Sequence, residues 1–431
     1  VRITSTTRFG GWGELVRILT PSPDRMQNSP CSQGRCDGCP LVSLAYQAQL
    51  TWKRTMIQRE LQRHAELRSI EVLPVLPSPR SEGYRTTAKL VISGRADAPR
   101  IGIYRRHSHD VVEITDCPLH HPLINRVVAV VKEGIRKGKV PIYHPRTGNG
   151  LLRYLVVRVS ESSGKAMVIF VTASRSFNEI HHLGRFVEER LPEVTVIAQN
   201  VNQKEGNVVL GEQFHFLGTR RTIEERIGKV GFTISPRSFF QVNPGGAQLL
   251  YDKVLQMAHL TGRERVVDLY CGVGGISLTL APQAREMIGM ELVEEAVRDA
   301  SLNARLNRIN NCRFEAGDAS ELLAELVEEG KTIDLLILNP PRKGCDEEVL
   351  RSAAKIGAPR LIYVSCSPSS LARDLAILNR LGYATVRVEP VDMFPHTPHV
   401  ESVALIERQE LPRTEKSSGQ EKRGARGRTP R

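Results

Sequence analysis

The sequence predicts an α/β protein whose C-terminal half folds as a doubly wound, Rossmann-like parallel sheet. Three observations carry that expectation. From about residue 229, short β-rich runs alternate with runs of helical period, as strand–helix units feeding one parallel sheet require. A glycine-rich turn, Cys271-Gly-Val-Gly-Gly-Ile-Ser277, follows the β-rich run Val266-Val-Asp-Leu-Tyr270 and suits a tight connection from strand to helix. Ahead of this half, residues 67–228 mix β-rich runs with turns and read as a mixed α/β domain.

Taken in order, Val1-Arg-Ile and Glu14-Leu-Val-Arg-Ile-Leu19 flank Gly10-Gly-Trp-Gly13 and read as the last strands of a small β-barrel within residues 1–24. The chain begins with Val1, not Met, so the first part of that barrel is expected to be missing. A central segment, 25–228, opens on Pro30-Cys31-Ser-Gln-Gly-Arg-Cys36-Asp-Gly-Cys39-Pro40 and continues with a helical pattern from about Ser43 to Arg63. Its strands are read at Ala88–Ser93, Arg100–Tyr104, Leu155–Ser160 and Ala166–Val171. Arg85, Lys89, Arg105, Arg106 and Arg153 lie in or beside them, together with Tyr84 and Tyr104. Cations beside rings suit phosphates and unstacked bases, although a solvated sheet face would hold the same residues.

The third segment, 229–408, carries strands ending near Tyr270, Glu291, Asp318 and Asn339, and a fifth that delivers Cys366. Ligands of such sheets bind beyond the carboxyl ends of the strands. Gly272, Gly274, Glu291, Asp318, Asn339 and Cys366 are therefore expected to converge on one cleft. Residues 409–431, rich in Arg, Gly, Ser and Glu, read as a disordered basic tail.

A net charge of +13 and a pI near 9.5 favour a polyanionic partner, because clustered Lys and Arg release counterions from phosphates. Residues 411–431 hold seven Lys or Arg against two Glu, and the body stays basic without them. No apolar run reaches the roughly 18 residues of a membrane span, and no signal-peptide pattern opens the chain. A cytoplasmic, nucleic-acid-binding monomer without membrane contact is expected.

Eight cysteines in such a chain point to metal binding or catalysis before disulfides. Cys31, Cys36 and Cys39 supply three thiols from one loop, in which Gly34 and Gly38 let the backbone curl. Cys117 is the candidate for the fourth ligand, with His120 and His121 as alternatives. Four thiolates suit either zinc or an iron–sulfur cluster. Three clustered cysteines plus a distant one lean toward [4Fe–4S], because zinc ribbons usually pair two Cys-x2-Cys units.

The glycine turn lacks the third Gly or Ala of a dinucleotide fingerprint and has Ser277 there. Asp268 ahead of the turn, and Glu291 at the end of the next strand, suit S-adenosylmethionine instead. A carboxylate there accepts both ribose hydroxyls, and no pyrophosphate has to be cradled. Cys366 sits at the turning point of Leu361-Ile-Tyr-Val-Ser-Cys-Ser-Pro-Ser-Ser-Leu-Ala-Arg-Asp374. Ser367 is the expected N-cap and Pro368 the first helical residue. A thiol at that elbow would lie near the positive end of a helix dipole and lose its proton readily. A lone buried cysteine would give the same local pattern.

Six motifs stand in a fixed order from about residue 20 to 408: Cys31, Cys36, Cys39 and Cys117; Ser238-Phe-Phe-Gln-Val-Asn-Pro244; Asp268-Leu-Tyr-Cys-Gly-Val-Gly274; Asn339-Pro-Pro-Arg342; Val364-Ser-Cys-Ser367; and Phe394-Pro-His-Thr-Pro-His-Val-Glu-Ser402. In these the chain resembles the RNA 5-methyluridine methyltransferases, and among them the iron–sulfur branch that modifies 23S rRNA. The resemblance implies S-adenosylmethionine-dependent methylation of C5 of a specific uridine in 23S rRNA. It makes Cys366 the nucleophile and Glu401 the base. Gln241, Tyr270, Gly275, Glu291 and Asn339 would hold the cofactor, with Asp318 near its adenine. It also implies a [4Fe–4S] cluster on the four cysteines and likens the opening strands to the end of a TRAM domain. Asn339 stands where many members have Asp, and Asp37 where Gly is usual. Cys271, Cys312 and Cys345 read as structural.

The chemistry accounts for these roles. C5 of uridine is too electron-poor to attack a methyl sulfonium unaided, but a thiolate added at C6 turns the ring into an enolate with carbanion character at C5. A base must then remove the C5 proton so that elimination expels the thiolate. Glu401, beside Val400 and Val403, has surroundings that raise a carboxyl pKa, and His396 and His399 are its competitors. Phe239 or Phe240 is a candidate to stack on a flipped uracil, or to serve as core. The alternatives are the same reaction on tRNA and a noncatalytic RNA-binding assembly factor, against which an intact Cys366 and Glu401 argue.

Overall fold

The structure, a computed structural model, describes residues 1–7, 10–31, 36–105, 108–204, 206 and 208–409. Gly34, Arg106 and all but the first residue of the expected basic tail lie outside the described residues. β1 (Arg2–Thr7) and β2 (Gly10–Glu14) form an antiparallel hairpin. Gly10–Gly13, expected between two strands, thus lies within a strand itself, and residues 15–20 are not one.

The central segment contributes α1 (Tyr46–Gln62), β3 (Glu71–Val72), β4 (Thr87–Arg95), β5 (Ala98–Tyr104), β6 (Val111–Glu113) and α2 (Pro122–Gly138). There follow β7 (Leu152–Val159), β8 (Ala166–Thr172), α3 (Asn178–Arg190), β9 (Val194–Val201) and β10 (Gln213–Phe216). The strands from β4 to β10 make one sheet in the order β10-β9-β8-β7-β4-β5-β6. α2 and α3 cover one face, packing Val127, Val131 and Leu183 on Leu155, Val157 and Phe170. A hairpin, β11 (Ile223–Ile227) and β12 (Val230–Ile234), closes the opposite face through Ile223 and Ile234. β7 and β8 are therefore buried along their whole length, which is why they read as near-continuous apolar runs.

The C-terminal segment runs through α4 (Pro244–Ala258), β13 (Arg265–Leu269), α5 (Gly275–Leu280), β14 (Glu286–Glu291), α6 (Glu294–Leu306) and β15 (Cys312–Ala316). It continues through α7 (Ala319–Glu328), β16 (Leu335–Leu338), α8 (Glu347–Ile356), β17 (Arg360–Ser365), α9 (Pro368–Arg380), β18 (Tyr383–Val391) and β19 (Glu401–Arg408). Its eight-stranded sheet has the order β15-β14-β13-β16-β17-β19-β18-β3. β13 through β17 are parallel neighbours. β19 inserts between β17 and β18, antiparallel to both. This is a departure from the all-parallel expectation.

One stretch of the central segment packs with the C-terminal sheet. Leu50, Ile57 and Leu61 of α1, with Val72 and Val75, join Leu371, Leu375 and Leu378 of α9 in the core of the C-terminal sheet. The apolar stripe of α1 thus buries against a helix more than 300 residues away, and local periodicity cannot name that partner. Among the described residues no helix is long and apolar enough to cross a membrane.

Candidate active site

β17 ends at Ser365 and α9 begins at Pro368, so Cys366 and Ser367 make the turn between them. Ser367 is the N-cap residue, yet its side chain makes no capping bond. Ser365 braces the turn instead: its Oγ accepts from the Ser367 N–H at 3.1 Å and donates to the Ser367 carbonyl at 3.0 Å. Ser365 pairs with Ser402 across the β17–β19 ladder. The ladder ends there: Cys366 is the next residue on the turn, Glu401 the next along β19, and the Glu401 charge acts on the Cys366 thiol.

Glu401 is 8 % exposed. Burial pushes its carboxyl up to about 8, against a smaller downward pull from the Arg342 guanidinium. Burial and the Glu401 charge push the Cys366 thiol above its ordinary value, while Arg342 pulls it down. The expectation of a thiol readily ionised by a helix dipole is corrected here, because desolvation outweighs it. The cation that faces both groups is Arg342, from the loop after β16. Thiolate and carboxylate oppose each other, so the pair holds one negative charge more easily than two.

The neighbouring strand ends meet on one edge. Glu291 accepts from the Gly272 N–H at 3.1 Å and the Val293 N–H at 3.0 Å. The Gly317 N–H donates to the Glu291 carbonyl at 3.1 Å, and the Asn339 N–H to the Leu269 carbonyl at 3.3 Å. Asp318 caps α7 on this edge, accepting from the Ser320 N–H at 2.8 Å. Its hydrogen bonds from Ser320 hold its carboxyl below the ordinary value. Gly272 and Gly274 adopt φ of 56° and 84°, which side chains rarely accept. Tyr270 does so with a side chain, at φ 63°, a strained placement of the kind that clusters at functional sites. A Cβ at Gly275 would run into the Tyr251 hydroxyl, and Tyr251 hydrogen-bonds the Gln241 side chain. Asp268 is fully buried beneath the turn, accepts from Ser277 Oγ at 2.6 Å, and is pushed up to about 7 by burial.

Of the competing bases, His396 is buried and its imidazole is pushed down by desolvation. His399 is half-buried, with its ring edge-on to Phe394 at 6.0 Å. Phe240 packs on Phe232 at 5.4 Å, whereas Phe239 is 73 % exposed. On the expected basic surface Lys89, Tyr104 and Arg105 are exposed. Three described members of that set are not. Arg85 is half-buried, its Nε donating to the Thr87 carbonyl at 3.1 Å. The Tyr84 ring is fully buried and its hydroxyl donates to the Pro395 carbonyl at 3.0 Å. Arg153 is buried against Tyr143 and Tyr154. The sequence motifs gave Arg342 no role of its own. Gln49 and Lys53 were also passed over, although polar residues four apart within the apolar stripe of α1 were a usable signal.

Cys31, Cys36, Cys39 and Cys117 line one cavity of about 360 Å³, with Arg25, Ser29, Val42, Ser43 and Ile114. His120 and His121 do not line it; His121 caps α2, its Nδ1 accepting from the Leu123 N–H at 3.2 Å. Burial pushes the Cys36, Cys39 and Cys117 thiols up, Cys39 to about 12, and neighbouring thiol charges add to each shift. Thiols that oppose each other's ionisation are made compatible by a cationic centre between them. Among the described residues, no group of three His, Cys, Asp or Glu is placed to hold a single metal ion.

Residues 45–409 match the tRNA (uracil-5-)-methyltransferase family. The chain is 58 % identical over 416 residues to an uncharacterized RNA methyltransferase of Geobacter sulfurreducens, an overlap of 96 % of this chain and 84 % of that one. It is 38 % identical over 407 residues to one from Halalkalibacterium halodurans, covering 94 % and 89 %. Among solved structures, the Pyrococcus abyssi tRNA (uracil-54, C5)-methyltransferase in complex with S-adenosyl-L-homocysteine aligns with a TM-score of 0.77 and 28 % identity, over 94 % of this chain and 92 % of that one.

Proposed function

We propose that this chain, which belongs to the tRNA (uracil-5-)-methyltransferase family, methylates C5 of a specific uridine in 23S rRNA through a covalent Cys366–C6 adduct. Membership makes it an S-adenosylmethionine-dependent RNA methyltransferase. The residue roles and the choice of RNA are our reading. The observation that carries it is the end of the β17–β19 ladder, where the residues just past the Ser365–Ser402 pair are Cys366 and Glu401, the Glu401 charge acts on the Cys366 thiol, and Arg342 acts on both.

S-adenosylmethionine supplies an electrophilic methyl group. Glu291 would accept its ribose hydroxyls, Gln241, Tyr270, Gly275 and Asn339 would line its cleft, and Asp318 would lie near the adenine. Arg342 favours the thiolate of Cys366, which adds to C6 of the uracil and leaves carbanion character at C5. Once C5 carries the methyl group, Glu401 takes the C5 proton, the C6–S bond breaks and the thiolate is regenerated. The burial that raises the Glu401 pKa also gives it the basicity to accept that proton.

The four cysteines suit a [4Fe–4S] cluster better than zinc. A single zinc needs every sulfur within about 2.3 Å of one point, whereas a cluster offers one iron to each thiolate. Bound there, it would tie the loop of Cys31–Cys39 to Cys117 ahead of α2. A cytoplasmic, monomeric enzyme completes the reading.

A second reading, the same reaction on tRNA, is favoured by the alignment with the Pyrococcus abyssi tRNA enzyme over 94 % of the chain. Methyl transfer from labelled S-adenosylmethionine to unmodified 23S rRNA and to unmodified tRNA, run in parallel, separates the two. Label in 23S rRNA that disappears in Cys366→Ala is expected, with Glu401→Gln trapping an RNA–protein adduct. Label in tRNA alone replaces the first reading by the second. Transfer to neither RNA overturns both.

A further inference from the structure

The segment from Asp392 to Val400 connects β18 to β19 and delivers Glu401. It is neither helix nor strand, and His396 at its centre has φ 65°, so bonds from other parts of the chain set its course. The His396 N–H donates to Gln49 Oε1 at 2.8 Å, and Gln49 Nε2 donates to His396 Nδ1 at 3.0 Å. The same Nε2 donates to the Leu44 carbonyl at 2.9 Å. On the far side, the His396 carbonyl accepts from the Leu41 N–H at 3.0 Å. A strained residue five positions before the proposed base is thus held through both of its peptide groups.

Gln49 is fully buried, and its bonds allow one amide orientation only. Exchanging its oxygen and nitrogen would set the oxygen against the Leu44 carbonyl and the NH2 against the His396 N–H. Other anchors, Tyr84 to the Pro395 carbonyl, Asn243 to the Met393 carbonyl at 3.0 Å, and Lys53 to the Phe394 carbonyl at 3.0 Å and to Asp392, hold the flanks. Gln49 alone among these grips a left-handed residue by backbone and side chain together.

We infer that Gln49 is a positioning residue for the proton-abstraction step: by fixing His396 it sets where the Glu401 carboxyl stands relative to C5. The inference rests on Glu401 as the base. Misplacing a catalytic group by about 1 Å costs on the order of 10²-fold in rate, and the held segment leads directly into β19.

Gln49→Met keeps the side-chain volume and removes all the bonds; Gln49→Glu keeps an acceptor for the His396 N–H and, with its buried carboxyl protonated, one donor toward the Leu44 carbonyl. With the RNA that the wild type methylates, Gln49→Met is expected to release product about 10²-fold more slowly. It should accumulate the RNA–protein adduct and keep its affinity for S-adenosylmethionine, and Gln49→Glu should recover part of the rate. In the RNA-free protein, hydrogen exchange of the amides from 392 to 400 should rise about tenfold or more in Gln49→Met, as loss of local protection requires. Wild-type turnover and exchange in Gln49→Met would overturn the inference, and so would slow turnover without adduct, since Gln49 would then serve the fold and not the base. If Gln49→Met does not fold, Gln49→Glu is read by the same two measurements, a smaller rise in each being expected. A wild type that methylates no RNA refutes the functional reading, and the inference with it; faster exchange would then leave Gln49 a purely structural anchor.

Discussion

Lys53→Met tests the other end of the segment that carries Glu401. Lys53 of α1 and Asp392 are both fully buried, 2.6 Å apart. Lys53 Nζ also donates to the Phe394 carbonyl at 3.0 Å, and Asp392 accepts from the Tyr46 hydroxyl at 3.0 Å and the Phe394 N–H at 3.2 Å. Burial pulls the Lys53 ammonium below its ordinary value, and Asp392 pulls it back up. Methionine keeps the unbranched stem but leaves the Asp392 carboxylate with neutral donors only. Removing one partner of a buried ion pair costs about 3–5 kcal/mol, whereas an exposed pair contributes about 0–1 kcal/mol. Most of the cost is the charge left behind, so Lys53→Met/Asp392→Asn should recover at least half of it. Urea unfolding followed by circular dichroism measures the double variant and both single variants. A loss below about 1 kcal/mol, or a double variant as unstable as the sum of the two single variants, would refute the reasoning.

Four further outcomes are expected. Because Glu401, as the proposed base, would have to be ionised to act and holds its proton to about pH 8, kcat/KM for RNA should rise with pH through that value; a profile flat from about pH 6 to 9 would exclude a buried carboxyl base. The same group binds a proton in the folded protein that the unfolded chain, with a Glu pKa of about 4.3, releases, so stability is present at low pH and lost as pH rises from about 4.3 to 8. Glu401→Gln should therefore gain in melting temperature over the wild type across that window, and parallel curves would count against it. Gly275→Ala pushes a methyl group into the buried Tyr251 hydroxyl and should cost about 1–3 kcal/mol of folding stability, read in urea unfolding, with partial relief from Tyr251→Phe. Cys39→Ser should abolish the visible absorption and iron content of anaerobically purified protein; iron retained at the wild-type level would remove Cys39 from the proposed cluster.

Much of the C-terminal sheet was legible because its signals are local. Val266–Tyr270 running into Cys271–Ser277, and Leu361–Ser365 running into Pro368, are strand–turn–helix sequences written in hydrophobic period and turn chemistry. The strand carrying Glu401 was not legible, because Ser402–Ile406 is as apolar as the parallel strands and nothing within it encodes its direction. Tyr84 and Arg153 looked like surface residues for a similar reason. Each sits in a β-rich run whose period marks two faces, and what covers a face comes from elsewhere in the chain.

By itself the sequence determined the α/β alternation, the left-handed glycine turn after β13, the elbow at Cys366 and the gathering of Cys31, Cys36 and Cys39 in one loop. Each is a property of a short stretch, set by side-chain period and backbone conformational preference. Only the tertiary structure decided that β19 lies antiparallel to β17 and brings the Glu401 charge to bear on Cys366, that Cys117 shares a cavity with the other three cysteines, and that Gln49 holds His396 across 347 residues. It also decided that the Cys366 thiol is pushed up and not down. These depend on which segments exclude water from one another, and that free energy belongs to contacts between distant parts of the chain, not to the residues of either part alone.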